Sequence, residues 1–362
     1  MSTLPDNLSD RINPKPAVSS SAVSIPAASS IAGSRPLVAK ALASAISGPK
    51  VSSDGGSAPL VLGIDGGGTN TRAVIACGEN VLGRAQGGSI KRLRVGAEAA
   101  EENLRALLRD VFDAAGVSHV DAASAGVASA SLPGISDWIT EVFHDFDIQI
   151  SEVVGDEVIA LDAAFHGGPG ILQIAGTGTN CIGRTAAGKY ESAGGYSSVL
   201  GDEGSGYWIG LHAIRQALHA YDRGEPSLIL DRVAAAWGTS TLEELVDLGN
   251  AIPGPDFAAL APVISMAAEE GDEVATRVLL QAAADLAESI LLVRHKLHQR
   301  HGITEEVPVA FTGSVLEKTH IVRARLTDLL KQAAPNMPFL QDGVVAVEGA
   351  LWRAQNLVKG IA

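Results

Sequence analysis

The chain is poor in cysteine, in aromatic residues and in long apolar runs. Its 362 residues include two cysteines, Cys77 and Cys181, which are too few for a disulfide framework, and no Cys/His cluster offers a zinc site. No run of about 18 apolar residues occurs, so no transmembrane helix is expected. The N-terminal stretch also lacks the basic-then-apolar order of a signal peptide. These absences favour a globular protein of the reducing cytoplasm.

Basic charge is also scarce. The chain has 27 Lys and Arg against 41 Asp and Glu, a net charge of −14, which argues against nucleic acid or an anionic membrane as a partner. A nucleotide such as ATP still fits, because backbone amides and a divalent cation supply positive charge locally. The length suffices for two domains with full cores.

The first 58 residues differ in composition from the rest. They contain 14 Ser and 6 Pro and no aromatic residue. Such a segment cannot bury enough apolar surface to offset the entropy lost on ordering. We therefore predict a disordered leader over 1–58 and a folded part that opens at Pro59.

The folded part contains the same kind of loop twice. An apolar run ends in Asp65-Gly66-Gly67-Gly68-Thr69-Asn70, and a later run ends in Gly176-Thr177-Gly178-Thr179. Glycines let backbone N–H groups converge on a phosphate chain, and Thr hydroxyls add donors. In both cases a second strand-like run follows, whereas a Rossmann unit needs a helix there. The repeat predicts two related domains that grip a nucleotide from both sides.

Strand-like and helix-like segments alternate, which predicts an α/β protein. The predicted strands outside the two hairpins cover 122–128, 148–154 and 307–311. The predicted helices cover 97–115, 136–143, 157–165, 206–221, 278–299 and 344–358.

Carboxylates occur at informative places, with two interpretations each. Asp65 could hold Mg²⁺ through water beside bound phosphates, or belong to an ordinary Asp-Gly turn. Asp156 ends a predicted strand, where a carboxylate can face a ligand crevice, or it caps the following helix. Asp202 and Glu203 lie among glycines before a helix. There the helix dipole stabilises acidic side chains, or the glycines let a ligand approach the two carboxylates.

Two further patterns resemble functional motifs, but we interpret them as structural. Residues 183–189 spell Gly-x-x-x-x-Gly-Lys, but Tyr190 replaces the Ser or Thr that would hold Mg²⁺ in a phosphate-binding loop of that type. His295, His298 and His301 have helical spacing, but they lie among basic residues at a helix C-terminus, where cations favour the dipole.

Taken together, the motifs resemble a known family. They are the two loops, Gly194-Gly195-Tyr196, the run from Leu200 to Ile209 (Leu-Gly-Asp-Glu-Gly-Ser-Gly-Tyr-Trp-Ile) and Thr312-Gly313-Ser314-Val315. From about Pro59 onward, the chain resembles the N-acetylglucosamine kinase branch of the actin/hexokinase/Hsp70 superfamily, which is grouped with the BadF/BadG/BcrA/BcrD-type ATPases. The resemblance implies two ribonuclease-H-like lobes around a cleft, at 59–166 and 167–342, with a C-terminal helix (343–362) packing back on the first lobe.

The resemblance also implies an activity and a site. It implies an ATP-dependent kinase of an amino sugar, with N-acetylglucosamine or glucosamine as the first candidates. Its cofactors would be ATP and Mg²⁺. Asp65 would bind the metal, and Asp156 would act as general base. The implied phosphate and ATP contacts are Gly66, Gly67, Gly68, Thr69, Asn70, Gly176, Thr177, Gly178, Thr179, Gly313, Ser314 and Val315. The implied sugar contacts are Asp156, Thr177, Gly195, Tyr196 and Asp202.

One departure leaves the sugar open. Similar kinases carry a sugar-contacting Asn after the first hairpin, where this chain has Ile90 or Lys91. Lys91 or Arg92 could favour an acidic sugar such as N-acetylmuramic acid. An ATPase that activates a partner enzyme, of the benzoyl-CoA reductase or 2-hydroxyacyl-CoA dehydratase type, is the alternative, and a homodimer stays open.

Overall fold

The computed structural model describes residues 58–68, 70–340 and 343–360. The predicted leader lies outside the described residues except for Ala58, and so does Thr69 of the first loop. No helix within the described ranges combines the length and the apolar character needed to cross a membrane.

A five-stranded mixed sheet opens the described part of the chain. Its strands are β1 (Leu60–Gly66), β2 (Asn70–Cys77), β3 (Asn80–Gly88), β4 (Ala122–Val127) and β5 (Ser151–Val154). They lie in the order β3-β2-β1-β4-β5, in which β1 to β3 form an antiparallel meander and β4 and β5 run parallel to β1. The carboxyl ends of β1, β4 and β5 therefore meet at one edge of the sheet.

A second sheet repeats this arrangement. Its strands are β6 (Gly170–Ala175), β7 (Thr179–Arg184), β8 (Tyr190–Gly194) and β9 (Val309–Thr312). The order is β8-β7-β6-β9, with β6 to β8 antiparallel and β9 parallel to β6. Phe339 forms an isolated parallel bridge with Val309, at the place that β5 occupies in the first sheet. The matching orders account for the repeated loop, because each loop joins the first two strands of its sheet.

The helices cover the sheets. They are α1 (Arg92–Val95), α2 (Ala97–Ala115), α3 (Ile135–Asp145), α4 (Asp156–Phe165), α5 (Gly206–Asp222), α6 (Ile229–Trp237), α7 (Leu242–Gly249), a 3₁₀ turn (Phe257–Leu260), α8 (Ala261–Glu269), α9 (Glu273–His301), α10 (Ser314–Lys318), α11 (His320–Ala333) and α12 (Ala346–Val358). Helices α2 and α3 bury apolar residues against one face of the first sheet, and α12 buries Val347 and Leu351 against the other. The second sheet lies between α4 and a larger core built from α5, α8, α9 and α11.

Helix α4 connects the two halves of the molecule. Its Ala160 and Leu161 pack on Leu172 and Ile182 of the second sheet. On the α12 side the helices approach so closely that a Cβ built on Gly349 would lie 1.8 Å from the carbonyl oxygen of Ile159. Only a glycine fits this crossing, so α4 and α12 pack backbone to backbone.

The α/β class is confirmed, and most predicted elements occur at their predicted places with small changes in their ends. The strand predicted over 148–154 is wrong at its start, because Ile148 is a buried residue of the turn after α3. The helix predicted over 278–299 begins earlier, at Glu273, because Asp272 caps it by accepting a hydrogen bond from the Ala275 amide. Strands β3 and β8 were missed, since both are polar and half-exposed.

Candidate active site

The first glycine loop lies over a buried isoleucine. A Cβ on Gly66 would lie 2.8 Å from Cδ1 of Ile90, whose side chain is 1% exposed and packs in the core of the first sheet and α2. Ile90 thus supports the loop from below. Of the two candidates for the position of the missing Asn, Lys91 is the one left with a partly exposed side chain.

Polar side chains after β3 fix the same loop. The hydroxyl of Ser89 donates to the carbonyl oxygen of Gly68 at 3.0 Å, and the Asn103 amide donates to the carbonyl oxygen of Ser89 at 2.8 Å. Thr71 adds a hydrogen bond of 2.8 Å to the carbonyl oxygen of Gly88. The chain after β3 and helix α2 therefore hold the loop in place, a contribution that sequence analysis missed because Asn103 lies far along the chain.

Asp65 and Asp156 come together at the carboxyl edge of the first sheet. Asp65 lies near the end of β1, and Asp156 is the first residue of α4, two positions after the last residue of β5. Gly155 occupies the N-cap position, so Asp156 does not cap its helix. Asp156 is close enough to Asp65 for the charge of one to act on the other.

The acidity of both groups is perturbed. Burial, a hydrogen bond with Glu157 and the negative charges of Glu157 and Asp65 together raise the pKa of Asp156 to about 7. Burial also raises the pKa of Asp65, against the opposing charge of Arg72. A carboxyl group that titrates near neutrality is suited to accept a proton in general base catalysis.

The second glycine loop is held by the segment that precedes α5. The amide of Gly206 donates to the carbonyl oxygen of Gly176 at 2.8 Å, and Asp202 Oδ1 accepts from the Thr179 amide at 3.1 Å. Ser205, rather than either acid, caps α5 by accepting from the Trp208 amide. The Gly-Asp-Glu-Gly-Ser block thus shapes the loop.

Asp202 also links the two halves of the site. Burial raises its pKa, while hydrogen bonds from the Thr179 amide and the Ser198 side chain and the positive charge of Lys91 act to lower it. Lys91 follows the first sheet and Asp202 follows the second, so a charge from one half of the site acts on a carboxylate of the other.

The other predicted sugar contacts have open surfaces. Tyr196 is 70% exposed, and the Thr177 side chain is exposed. Gly195 has φ = 76°, a left-handed conformation that favours glycine. These three residues are therefore accessible to a ligand.

The third motif meets the second loop from the other side. Gly313 has φ = 102°, and a Cβ there would lie 2.4 Å from the carbonyl oxygen of Ala175. Ser314 is exposed, whereas Val315 is 2% exposed and packs in the core. The structure thus joins Gly313 and Ser314 to the loop at Gly176, and leaves only the backbone of Val315 for a ligand.

The two patterns that resemble functional motifs have structural roles. Lys189 lies in the turn between β7 and β8, with no helix after it. His301 forms a hydrogen bond of 3.0 Å with Glu191 of β8. Within the described ranges, no group of three or more His, Cys, Asp or Glu side chains is arranged to hold a metal ion.

Comparison with known proteins identifies the family. The sequence profile of the BadF/BadG/BcrA/BcrD ATPase family matches residues 62–352. The chain belongs to this family.

Curated relatives and a solved structure are similar to the chain over most of its length. An N-acetylmuramic acid/N-acetylglucosamine kinase of Clostridium acetobutylicum is 27% identical over 77% of this chain and 93% of the relative. A glucosamine kinase of Vibrio cholerae is 29% identical over 80% of this chain and 94% of the relative. A crystal structure from Chromobacterium violaceum, assigned as an N-acetylglucosamine kinase, superposes with a TM-score of 0.64 at 24% identity, covering 84% of this chain and all of that one. The two-lobed fold implied by the sequence is thereby confirmed.

Proposed function

We propose that the chain is an ATP-dependent kinase that phosphorylates an amino sugar, N-acetylglucosamine or glucosamine first, with Asp156 as general base. The observation that best supports this proposal is the position of Asp156. It lies at the carboxyl edge of the first sheet, beside Asp65 and the first glycine loop, with a pKa near 7. Curated relatives that phosphorylate amino sugars support the substrate class.

The reaction follows from this placement. Asp156 takes the proton of a sugar hydroxyl as that oxygen attacks the γ-phosphorus of ATP, and ADP leaves in line. Phosphoryl transfer gains most from positioning and charge neutralisation. A general base adds roughly 10²–10⁴-fold. Near pH 7 about half of the Asp156 side chains would be ionised and ready to accept the proton.

The carboxylates fit a divalent cation bound together with phosphates. Burial raises the pKa of Asp65 against the opposing charge of Arg72, and burial together with the charges of Glu157 and Asp65 raises the pKa of Asp156. Mg²⁺ typically binds through one or two carboxylates, with waters and substrate phosphates as the other ligands. We assign Asp65 to this cation. Bound there, Mg²⁺ would neutralise charge on the transferring phosphate.

The remaining contacts complete the proposal. The backbones of the two loops, at 66–70 and 176–179, would hold the phosphates, with Gly313 and Ser314 along the adenosine. Thr177, Gly195, Tyr196 and Asp202 would line the sugar. The lobes would span 59–166 and 167–342, with α12 completing the first.

A substrate panel tests the proposal. Purified protein is assayed for ADP release with ATP, Mg²⁺ and each of N-acetylglucosamine, glucosamine, N-acetylmuramic acid and glucose. We expect turnover with at least one amino sugar and its loss in Asp156→Asn. Asp137→Asn is the matched control, because Asp137 is exposed in the first turn of α3 of the same lobe. Turnover without any sugar dependence would overturn the proposal.

The activator alternative is separated by the same assay. Such activators hold an iron–sulfur cluster between subunits through dedicated cysteines. Here Cys77 lies in β2 of the first sheet, and Cys181 is buried in β7 of the second. ATP hydrolysis that needs no sugar, in a protein that binds iron, would favour the activator.

A further inference from the structure

A buried ionic cluster lies away from the proposed site, where the two lobes join. The Asp162 side chain in α4 is fully buried. Its Oδ1 accepts a hydrogen bond of 2.5 Å from Nη1 of Arg184, and its Oδ2 accepts one of 2.7 Å from Nη1 of Arg353. One carboxylate therefore pairs with two guanidinium groups that come from different lobes.

The cluster continues into the first sheet. Arg353 of α12 also donates to both carboxylate oxygens of Glu152 in β5, at 2.6 and 2.7 Å, and Ser124 of β4 donates to Glu152 at 2.9 Å. Arg184 ends β7 of the second sheet and donates as well to the carbonyl oxygen of Gly168 at 3.0 Å. The charged groups thus connect β4, β5, α4 and α12 to the second sheet.

The cluster lies at the far ends of the two elements that carry the proposed chemistry. Arg184 pairs with Gly170 at the open end of the β6–β7 hairpin, whose tip is the second glycine loop. Asp162 follows Asp156 on the same helix, about two turns along. The Arg184–Asp162 pair therefore joins the base of the phosphate hairpin to the helix that presents the general base.

We propose that the Asp162–Arg184–Arg353 cluster fixes the distance between Asp156 and the second glycine loop, so that these three are positioning residues for phosphoryl transfer. The inference rests on the proposed function, because it assigns a consequence to the placement of Asp156. None of the three side chains needs to touch a substrate for this role.

The distance from the cluster to the second glycine loop determines how far the loop moves when the cluster is disrupted. From Arg184 to the loop the strand rises about 3.3 Å per residue over five steps, about 17 Å in all. A rotation of about 5° at the cluster would move the loop by about 1.5 Å over that arm. A displacement of about 1 Å from productive geometry can cost on the order of 10²-fold in rate. Contacts that lie within a single lobe, such as Gly313 and Ser314 along the adenosine or Gly195 and Tyr196 at the sugar, would change less and would keep most of the ground-state affinity.

Steady-state kinetics of matched variants test this. Arg184→Met removes the ionic link between the lobes and leaves Asp162 its hydrogen bond from Arg353. We expect kcat to fall about 10- to 100-fold, with the KM values for ATP and for the amino sugar within about threefold of wild type. Arg184→Lys, which retains the charge, should restore part of kcat. Arg300→Met is the control, because Arg300 pairs with Glu191 at an exposed site within the second lobe.

Several results would overturn the proposal. These are an unchanged kcat in folded Arg184→Met, a rise in KM that accounts for the whole loss, or an equal loss in Arg300→Met. If Arg184→Met does not fold, Asp162→Asn and Arg184→Lys are measured instead. For these variants too, we expect kcat to fall while both KM values stay close to wild type.

Amide hydrogen exchange separates this idea from the kinase assignment, because it reports on the junction of the lobes without a substrate. A wild-type protein that phosphorylates no sugar would refute the assignment, and the exchange rates of amides in α4, β6 and β7 would then decide about the cluster. Faster exchange of these amides in Arg184→Met than in wild type and Arg300→Met supports the cluster as the link between lobes, and equal exchange refutes it.

Discussion

Replacing Asp156 by asparagine should abolish turnover and make the folded protein more stable at alkaline pH. Burial, Glu157 and Asp65 raise the pKa of Asp156 from the usual 3.8 to about 7. The folded protein therefore holds a proton that the unfolded chain has already lost between about pH 4 and pH 7. In the wild type the stability contributed by this group falls with rising pH across that window, and the full cost is present above it.

The magnitude follows from the shift. One pKa unit corresponds to about 1.4 kcal/mol, so a shift from 3.8 to about 7 costs at most about 4 kcal/mol at pH 8. Partial hydration and relaxation of the buried site reduce this to about 1–3 kcal/mol. Asp156→Asn is neutral at every pH, so it should gain that amount at pH 8 and less at pH 5.

The activity should follow the opposite trend with pH. A general base works only when it is deprotonated, so wild-type kcat/KM at pH 6 should be about a tenth of its value on the alkaline plateau. Glu157→Gln should move this profile to lower pH, because it replaces a negative carboxylate that raises the pKa of Asp156 with a neutral amide that can donate a hydrogen bond to the ionised form. The rate is measured by coupled ADP release at constant ionic strength, and stability by urea unfolding at pH 5 and pH 8.

Three results would refute the reasoning. Asp156→Asn could retain more than about a tenth of the wild-type rate, which excludes the role of general base. The wild-type profile could be flat between pH 5.5 and pH 8. The Asn variant could be less stable than wild type at pH 8, which would mean that the charged form of Asp156 is stabilised in the fold.

The remaining predictions concern the loop supports and the helix crossing. Asp65→Asn should raise the Mg²⁺ concentration needed for half-maximal rate at least about tenfold, with unchanged sugar affinity by calorimetry; lost sugar affinity alone would reverse the assignment. Ile90→Asn should lower the free energy of unfolding by at least about 3 kcal/mol, since it puts an amide into the core, and a stable variant would contradict this placement. Lys91→Asn should leave stability within about 0.5 kcal/mol and change the kcat/KM ratio between acidic and neutral amino sugars, whereas an unchanged ratio would make Lys91 a solvated loop charge. Gly349→Ala should cost about 2–3 kcal/mol or more, because its Cβ would meet the Ile159 backbone, and urea unfolding at wild-type stability would show that α4 and α12 can separate freely.

Local patterns were enough to predict most of the fold. The apolar spacing of Leu104, Leu107, Leu108 and Val111 predicts α2, and the same four side chains are buried on one face of it. The two glycine loops predict two hairpins, and each hairpin opens one of the two sheets. Such elements are predictable because periodicity and turn chemistry act over a few residues.

The site was less predictable where it depends on residues far apart in the chain. The sequence singled out Asp156, but the neighbours that raise its pKa include Asp65, which arrives from another strand through the sheet order. Ile90 and Lys91 looked equivalent in the sequence, and only the packing under Gly66 makes one of them a core residue. Spacing along the chain carries no information about such pairs.

The ionic cluster also could not be predicted from the sequence, and its stability alone does not explain why it is there. Asp162 and Arg184 are separated by β6, most of β7 and two loops, and Arg353 comes 169 residues after Arg184, so no motif connects them. A buried ion pair is weak evidence for stability, because desolvation of both charges offsets much of their attraction. Its presence at the junction of α4, α12 and the second sheet is better explained by geometry. Each guanidinium fixes one lobe relative to a single carboxylate, and that carboxylate lies on the helix that begins with the proposed general base.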